Sequence, residues 1–304
     1  MSTTPLPLRF QIGTHTLMAI QRDLVHVPLS LEDVMAGRLP VLPPLDRTAQ
    51  GYAIRSLPAD RRDAMAYAGG SMIACVRQHY NRYFADLKDG FDHYFAGLPA
   101  ATQLRLRRLA KQAAEVSGGV LDVRRFRTPD EMLGFHDVAR RISIRGYQDR
   151  LFTGGLPDDD AFVASMQSLA AADRVRAWLL YIAGEPAAYL YCPLNGDTLR
   201  HEHAGIDPAF ADFSPGGVLH LEAMRDLFQE RRFIRYDFIE GECSHKRQLA
   251  TGGIPCIDML LLRASLANRL TTVALGGFDR AAVIARQAND ALGLNRLAEK
   301  LRRT

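Results

Sequence analysis

Between His201 and Phe238 the chain spells a strand, a loop ending in Ser214-Pro215-Gly216-Gly217, a helix and a second strand. This unit constrains the fold more than any other stretch. Two strands joined by a helical crossover pair in parallel through a right-handed connection, so the sequence demands a sheet with at least one helix packed on it. Ser214 suits a helix N-cap and Pro215 the first helical position. The glycines behind them let another molecule approach the backbone, and amides left free at a helix start form an anion site. The segment therefore reads as a holder for a phosphorylated ligand. A cluster of polar groups closes it: Asp237, Glu240, Glu242, Ser244, His245 and Lys246.

The rest of the composition fits a folded soluble protein: 304 residues, 47% apolar and 24% charged. The net charge of +4 suits an anionic ligand without by itself arguing for nucleic acid. No apolar run is long enough to span a bilayer. The first residues lack the basic-then-apolar order of a secretion signal, so cytoplasm is the expected location. Cys75, Cys192, Cys243 and Cys256 are scattered and form no CxxC pair, which points to neither zinc nor a disulfide framework.

Up to about Asp86 the pattern is mixed. RFQIG, TLMAIQRDLVHV and GYAIRSL read as strands, and Ser30 to Asp33 as a capping box before a short helix. Met72–Val76 and Tyr80–Leu87 read as a further strand or pair of strands. Gly90 to Ser117 reads as one helix, with Leu106, Leu109, Ala110 and Ala113 on one face and Arg107, Arg108 and Lys111 on the other. No aromatic residue interleaves with these charges, so a solvated face is preferred over a nucleic-acid stripe. Gly118-Gly119 breaks the helix and marks the expected domain boundary.

Beyond it the pattern is cleaner. VLDVRRFR is a strand, and Thr128-Pro129-Asp130-Glu131 opens a helix with a capping box and a proline at the first position. A second helix starts near Asp159. Three strands follow in a meander: Ala177–Ile182, Ala187–Cys192 and Thr198–Ile206, the last after an Asn-Gly turn. After the Ser-Pro-Gly-Gly helix come strands at Phe233–Phe238 and Cys256–Arg263. The tail is helical, broken near Gly276-Gly277 and at Gly293.

This order of elements resembles the Gcn5-related N-acyltransferase (GNAT) fold. GEPAAYLY before a hairpin, GIDPAF, SPGGVL, and YDFIEGE followed by His245-Lys246 resemble the branch of the bacterial FemAB peptidyltransferases and the cellulose-biosynthesis acetyltransferase domain. In that branch a tyrosine is usual where this chain has Ile206, and another where it has His245. The resemblance implies an α/β (α+β) fold with a mixed central sheet flanked by helices, holding a degenerate first GNAT-like half and an intact second one. The expected boundaries are 1–117, 118–265 and a helical tail at 266–304.

The resemblance further implies an acyl-CoA or acetyl-CoA donor, or a related pantetheine thioester presented by an acyl carrier protein, with no metal. The acceptor is expected to be a small-molecule or peptide amine. The pyrophosphate would lie at Phe213, Ser214, Gly216, Gly217, Val218 and Leu219. Acyl transfer to an amine needs a base and an oxyanion site. The candidate catalytic residues are Glu202, His203, His245 and Asp237. Strand alternation puts His201 and His203 on one face and Glu202 on the other, and no third ligand stands at a spacing that would make the HxH pair a zinc site. Arg145, Tyr147 and Gln148, where the first helix ends, are expected over the acceptor site with Glu240, Glu242 and Lys246. Two alternatives remain open. One is an aminoacyl-tRNA donor, needing a basic groove built from Arg105–Lys111 and the arginines at 124, 125 and 127. The other is a non-catalytic subunit of a biosynthetic complex.

Overall fold

The computed structural model describes residues 3–12, 15–148 and 155–291 of the chain. Two units divide them: Met1–Tyr80 with Pro255–Thr304, and Asn81–Ile254.

The first unit is built from β1 (Thr3–Ile12), β2 (His15–Pro28), α1 (Leu31–Met35), β3 (Gly51–Pro58), α2 (Arg62–Ala68) and the start of β4 (Ile73–Asp86). Its α1 begins as the sequence predicts, with the Ser30 hydroxyl accepting from the Asp33 amide. β1 and β2 pair antiparallel, and β2 and β3 pair in parallel across α1. At Gly51 a side chain is excluded, because a Cβ would stand 2.0 Å from the Leu261 carbonyl oxygen.

The second unit begins within β4 and continues through α3 (Phe91–Gly97), α4 (Ala100–Val116), β5 (Asp122–Phe126), α5 (Pro129–Gln148) and α6 (Asp160–Ala171). Then come β6 (Val175–Ile182), β7 (Glu185–Asn195), β8 (Thr198–Arg200), β9 (His203–Ile206), α7 (Pro215–Glu230), β10 (Arg235–Asp237) and α8 (Ser244–Leu249). The chain returns to the first unit along β11 (Gly252–Leu262) and ends its described part in α9 (Leu266–Ala291). There β11 pairs antiparallel with β3, and Leu260, Leu262 and Leu275 complete a core with Leu8, Leu24 and Ala53.

In the second unit the strand order is β4-β10-β8-β7-β6-β5, with β9 also on β7. Every residue of β6 is buried, because both faces of this sheet are covered. Trp178, Leu180, Leu190 and Cys192 face a core shared with Leu106, Leu109, Val218, Leu221 and Met224 of α4 and α7. Ala177, Leu179, Tyr189 and Tyr191 face Met132, Phe135 and Met166 of α5 and α6. α5 starts on its capping box: Glu131 accepts from the Thr128 amide at 3.0 Å, and the Thr128 hydroxyl accepts from the Glu131 amide at 3.4 Å. β8 and β10 pair in parallel across α7, as the strand–helix–strand order requires.

Several local expectations are corrected. Gly90–Ser117 is two helices, because Pro99 holds Leu98 in extended backbone (φ −70°, ψ 152°). The strand at Phe233–Phe238 shrinks to Arg235–Asp237. The possible pair at 72–87 is the single strand β4. α9 runs unbroken through Gly276-Gly277, and Gly293 lies outside the described residues. The compact units also differ from the expected domains. Gly118-Gly119 falls inside the second unit, and the β11–β3 pairing carries residues from Pro255 onward into the first.

Candidate functional site

The strand expected at Thr198–Ile206 breaks at a bulge. β8 pairs with β7 at Leu199↔Leu194, and β9 pairs with the same strand at His203↔Tyr191, so the register slips by one residue across His201 and Glu202. An extra residue in one strand reverses the facing of everything beyond it. His201 consequently turns towards Tyr236, His220 and Phe238, while His203 lies against Phe162 and Tyr191. This overturns the shared face that alternation predicts, and it also stops the HxH pair from gripping one metal ion. Among the described residues no group of three or more His, Cys, Asp and Glu side chains is arranged to hold a metal.

The same bulge ends a strand pairing. β8 and β10 run together at Thr198–Arg200 and Arg235–Asp237, and the His201 amide donates to the Asp237 carbonyl at 2.9 Å. Beyond that bond they part. β9 stays on β7, whereas the Phe238 amide donates to the Tyr83 carbonyl of β4. The outer edge of β9 has no strand beside it among the described residues.

Three histidines gather where the strands separate. His201 Nδ1 is 2.7 Å from the Tyr236 hydroxyl, and the Cys192 sulfur is 3.5 Å from that hydroxyl. Burial, reinforced by His245, Lys246 and His203, pushes His201 down to about 3. His220 of α7 lies with its ring centroid 6.0 Å from that of His201, 5.2 Å from Tyr236 and 6.0 Å from His245. Burial, then His245 and His201, holds it well below the ordinary imidazole range. His245 is also lowered, by burial and by the Arg105 guanidinium. Burial pushes the Tyr236 phenol upward.

The start of α7 departs from expectation in two ways. Ser214 does not cap the helix: it sits in left-handed backbone (φ +46°) ahead of Pro215, and its side chain makes no capping bond. Its carbonyl instead accepts from the Gly217 and Val218 amides at 2.9 and 3.3 Å. The glycines do not face open space either. A Cβ on Gly216 would meet Ile206 at 3.2 Å, and one on Gly217 would meet Leu106, Ser214 and His245. Val218 and Leu219 point into the core, while Phe213 is half-buried. The anion-binding capacity of this turn thus narrows to the Gly216 amide, the Ser214 hydroxyl, which makes no capping bond, and the helix dipole.

The polar cluster after β10 is mostly engaged in holding itself together. Asp237, expected as a catalytic group, is buried and accepts two bonds from the equally buried Arg82, at 3.2 and 2.6 Å. It also accepts from the Ile239 amide. A carboxylate so committed fixes the strand end and has no open path to a substrate. Glu242 accepts from the Asn81 amide, the Tyr83 hydroxyl and Arg247, and Arg247 above all holds its carboxyl below the usual range. Lys246 donates to the Glu240 and Gly241 carbonyls at 2.5 and 3.4 Å, and burial lowers its ammonium pKa. The half-buried Glu240 thus contributes its backbone to a clamp on the loop. Glu202 pairs loosely with Arg200 at 3.4 Å. Burial lowers His203, with Glu202 opposing.

At the acceptor side expected from sequence, Arg145 donates to Asp207 at 2.6 Å, tying the end of α5 to the turn after β9. Tyr147 and Gln148 belong to the last turn of α5, and their side chains lie outside the described residues. Most of the arginines considered for a nucleic-acid groove have partners within the protein. Arg124 pairs with Asp122 and stacks over Tyr181, and Arg125 and Arg127 pair with Asp226. Arg105 bonds Gln248, and Arg107 lies over Phe95.

Sequence reading missed His220, Tyr236 and Arg82. His220 stands among Val218, Leu219 and Leu221, where the apolar pattern hides it. Its one available signal was a polar ring inside a run whose other members belong to the core.

Residues 100–247 match the acetyltransferase (GNAT) domain family. That match supports the GNAT superfamily and an acyltransferase, and the mixed sheet flanked by helices is a GNAT-like fold. No curated protein matches the chain. Among solved structures, FemX is similar at 10% identity and a TM-score of 0.52, over 86% of this chain and 88% of that one. The C-terminal domain of an Agrobacterium fabrum protein described as a lysylphosphatidylglycerol synthetase is similar at 10% identity and a TM-score of 0.51, over 76% and 72% of the two chains. At such identity these two likenesses speak for the fold alone.

Proposed function

We propose that the protein transfers an acyl group from acyl-CoA, acetyl-CoA or a related pantetheine thioester to the nitrogen of a small-molecule or peptide amine. One observation carries this reading: β8 and β10 part at the His201–Asp237 bond, directly beside the start of α7 and a cluster of neutral histidines. A parted pair offers a slot, and the free edge of β9 offers backbone groups that an amide-bearing chain such as pantetheine pairs with like an added strand. The Gly216 amide, the Ser214 hydroxyl and the dipole of α7 would receive the diphosphate.

In this reading His245 is the base. Its proton affinity is reduced by burial and Arg105, so it is neutral and ready at physiological pH. His203 and Glu202 are the reserve candidates. Backbone amides of β9 would face the oxyanion of the thioester carbonyl. Arg145, Glu240 and the loop clamped by Lys246 would border the acceptor.

We place the chain near the FemAB-like and cellulose-biosynthesis branch, in the cytoplasm, with an acyl carrier protein as an alternative source of the thioester. The first unit is proposed as a reduced copy of the same fold, which its parallel β2–β3 pair across α1 supports. An aminoacyl-tRNA donor is the second reading, weakened by the pairing of Arg124, Arg125 and Arg127 with carboxylates of the protein.

Incubation with acetyl-, medium- and long-chain acyl-CoAs, following free thiol, tests the reading. Slow hydrolysis and a thermal shift with CoA are expected, and both decline in a variant with Gly216 replaced by proline, which removes the amide. Absence of CoA binding and of thiol release with every donor would sink it.

A further inference from the structure

His220 is 2% exposed, yet neither Nδ1 nor Nε2 has a hydrogen-bond partner among the described residues. A neutral imidazole carries one donor and one acceptor, and buried polar atoms are almost always paired. A leucine in the same place would bury apolar surface at no such cost, so the ring is an expensive choice for a packing role. Its neighbours say what the expense serves. His201 comes from the bulge, Tyr236 and Phe238 from β10 and its end, and His245 from α8. The His245 ring meets His220 edge-on, at 74° and 6.0 Å between centroids. Arg105 of α4 faces His245, Lys246 faces His201, and the Cys192 thiol of β7 faces Tyr236. No carboxylate bonds any of the three histidine rings among the described residues; Asp237 is held by Arg82.

From this geometry we propose that His220 is a positioning residue that shares one proton with His245. The inference rests on the acyl-transfer reading above. His245 takes a proton from the acceptor's ammonium, and His220, neutral, accepts a hydrogen bond from the imidazolium so formed. The freed nitrogen pair attacks the thioester carbonyl, the C–N bond forms and the C–S bond breaks. Of the two protons the ammonium loses on becoming an amide, one passes from His245 to the departing sulfur and the other goes to solvent. Because the rings are close and desolvated, only one of the two carries charge at a time. Burial and the charge of His245 both act to keep His220 the neutral partner.

The test uses the full chain and its His220→Leu and His220→Asn variants, with ring-nitrogen NMR titration of His245 and thermal melting as readouts. In His220→Leu the melting temperature holds or rises, since two unpaired nitrogens are gone. The His245 midpoint falls by about one pH unit, a tenfold loss of proton affinity, for want of a hydrogen bond to its charged form. His220→Asn, whose amide oxygen accepts, recovers part of that shift, and it serves alone if the leucine variant does not fold. With an acyl-CoA that the parent consumes, kcat drops in step with the midpoint while KM for the donor stays put. A His245 midpoint unmoved in a folded variant overturns the proposal. A coupled midpoint in a chain that consumes no acyl-CoA upholds the shared proton and sinks the acyl-transfer reading instead.

Discussion

Helix α7 carries two buried polar clusters, and they are buried on opposite terms. Around Asp226 every need is met: it accepts from the Trp178 indole at 3.0 Å and pairs with Arg125 at 2.8 Å and Arg127 at 3.3 Å. One turn on, Glu230 holds Arg127 and the buried Arg176. Around His220, near the other end of the same helix, two ring nitrogens find no partner among the described residues. The first cluster locks the sheet to the helix. The second keeps neutral, desolvated rings where β8 and β10 part, an arrangement that fits the proton transfer proposed above better than a packing role. Strained or unsatisfied features concentrate where a protein acts.

The contrast can be broken by measurement. Arg82→Ala should have the largest effect, because it leaves the buried Asp237 carboxylate without its cationic partner. Urea unfolding is expected to register a loss of about 3–5 kcal/mol. Asp226→Ala comes next, at about 2 kcal/mol, through the unpaired Trp178 indole and the two released arginines. If it costs no more than His220→Leu, the distinction between the satisfied and unsatisfied clusters is void.

Acidification from neutral pH reaches the buried histidines before the carboxylates. His201 and His220 stay neutral in the folded state below the pH where the unfolded chain protonates its histidines, near 6.5. Between that pH and about 3, where His201 itself titrates, the unfolded state binds the extra protons and stability rises with pH. Stability is therefore full above about 6.5 and declines as pH falls, by about 1.4 kcal/mol per unit for each such ring. A flat profile of unfolding free energy from pH 6.5 to 4.5 would show that the rings are not held neutral. The smallest effect is expected from Arg124→Ala, whose half-exposed pair with Asp122 contributes less than about 0.5 kcal/mol. A large loss there would show that an exposed pair contributes as much to stability as the buried Asp226 cluster.

Local signals carried much of this fold. The capping box at Thr128 and Glu131 and the crossover around Ser214 each act within a short stretch, and each is found where the pattern puts it. What escaped is non-local. Arg82 and Asp237 meet across 155 residues because β4 and β10 pair antiparallel. The bulge at His201 depends on how two strands register, which alternation along one strand does not contain. Ser214 fails as a cap for a further reason: its left-handed backbone is set by the turn on both sides, not by its own preference. The candidate site was thus legible as a neighbourhood that includes His245, which the structure brings beside His220, while that inner member was concealed by apolar company.

The return of β11 to the first unit has a consequence for synthesis. Residues 81–254 emerge from the ribosome before Pro255, so β3 still shows an unpaired edge when the second unit has been made. Such edges invite pairing with other chains. A nascent or truncated polypeptide stopping short of Pro255 should accordingly stick to its neighbours through the amino-terminal sheet, and expression yield should depend on finishing translation.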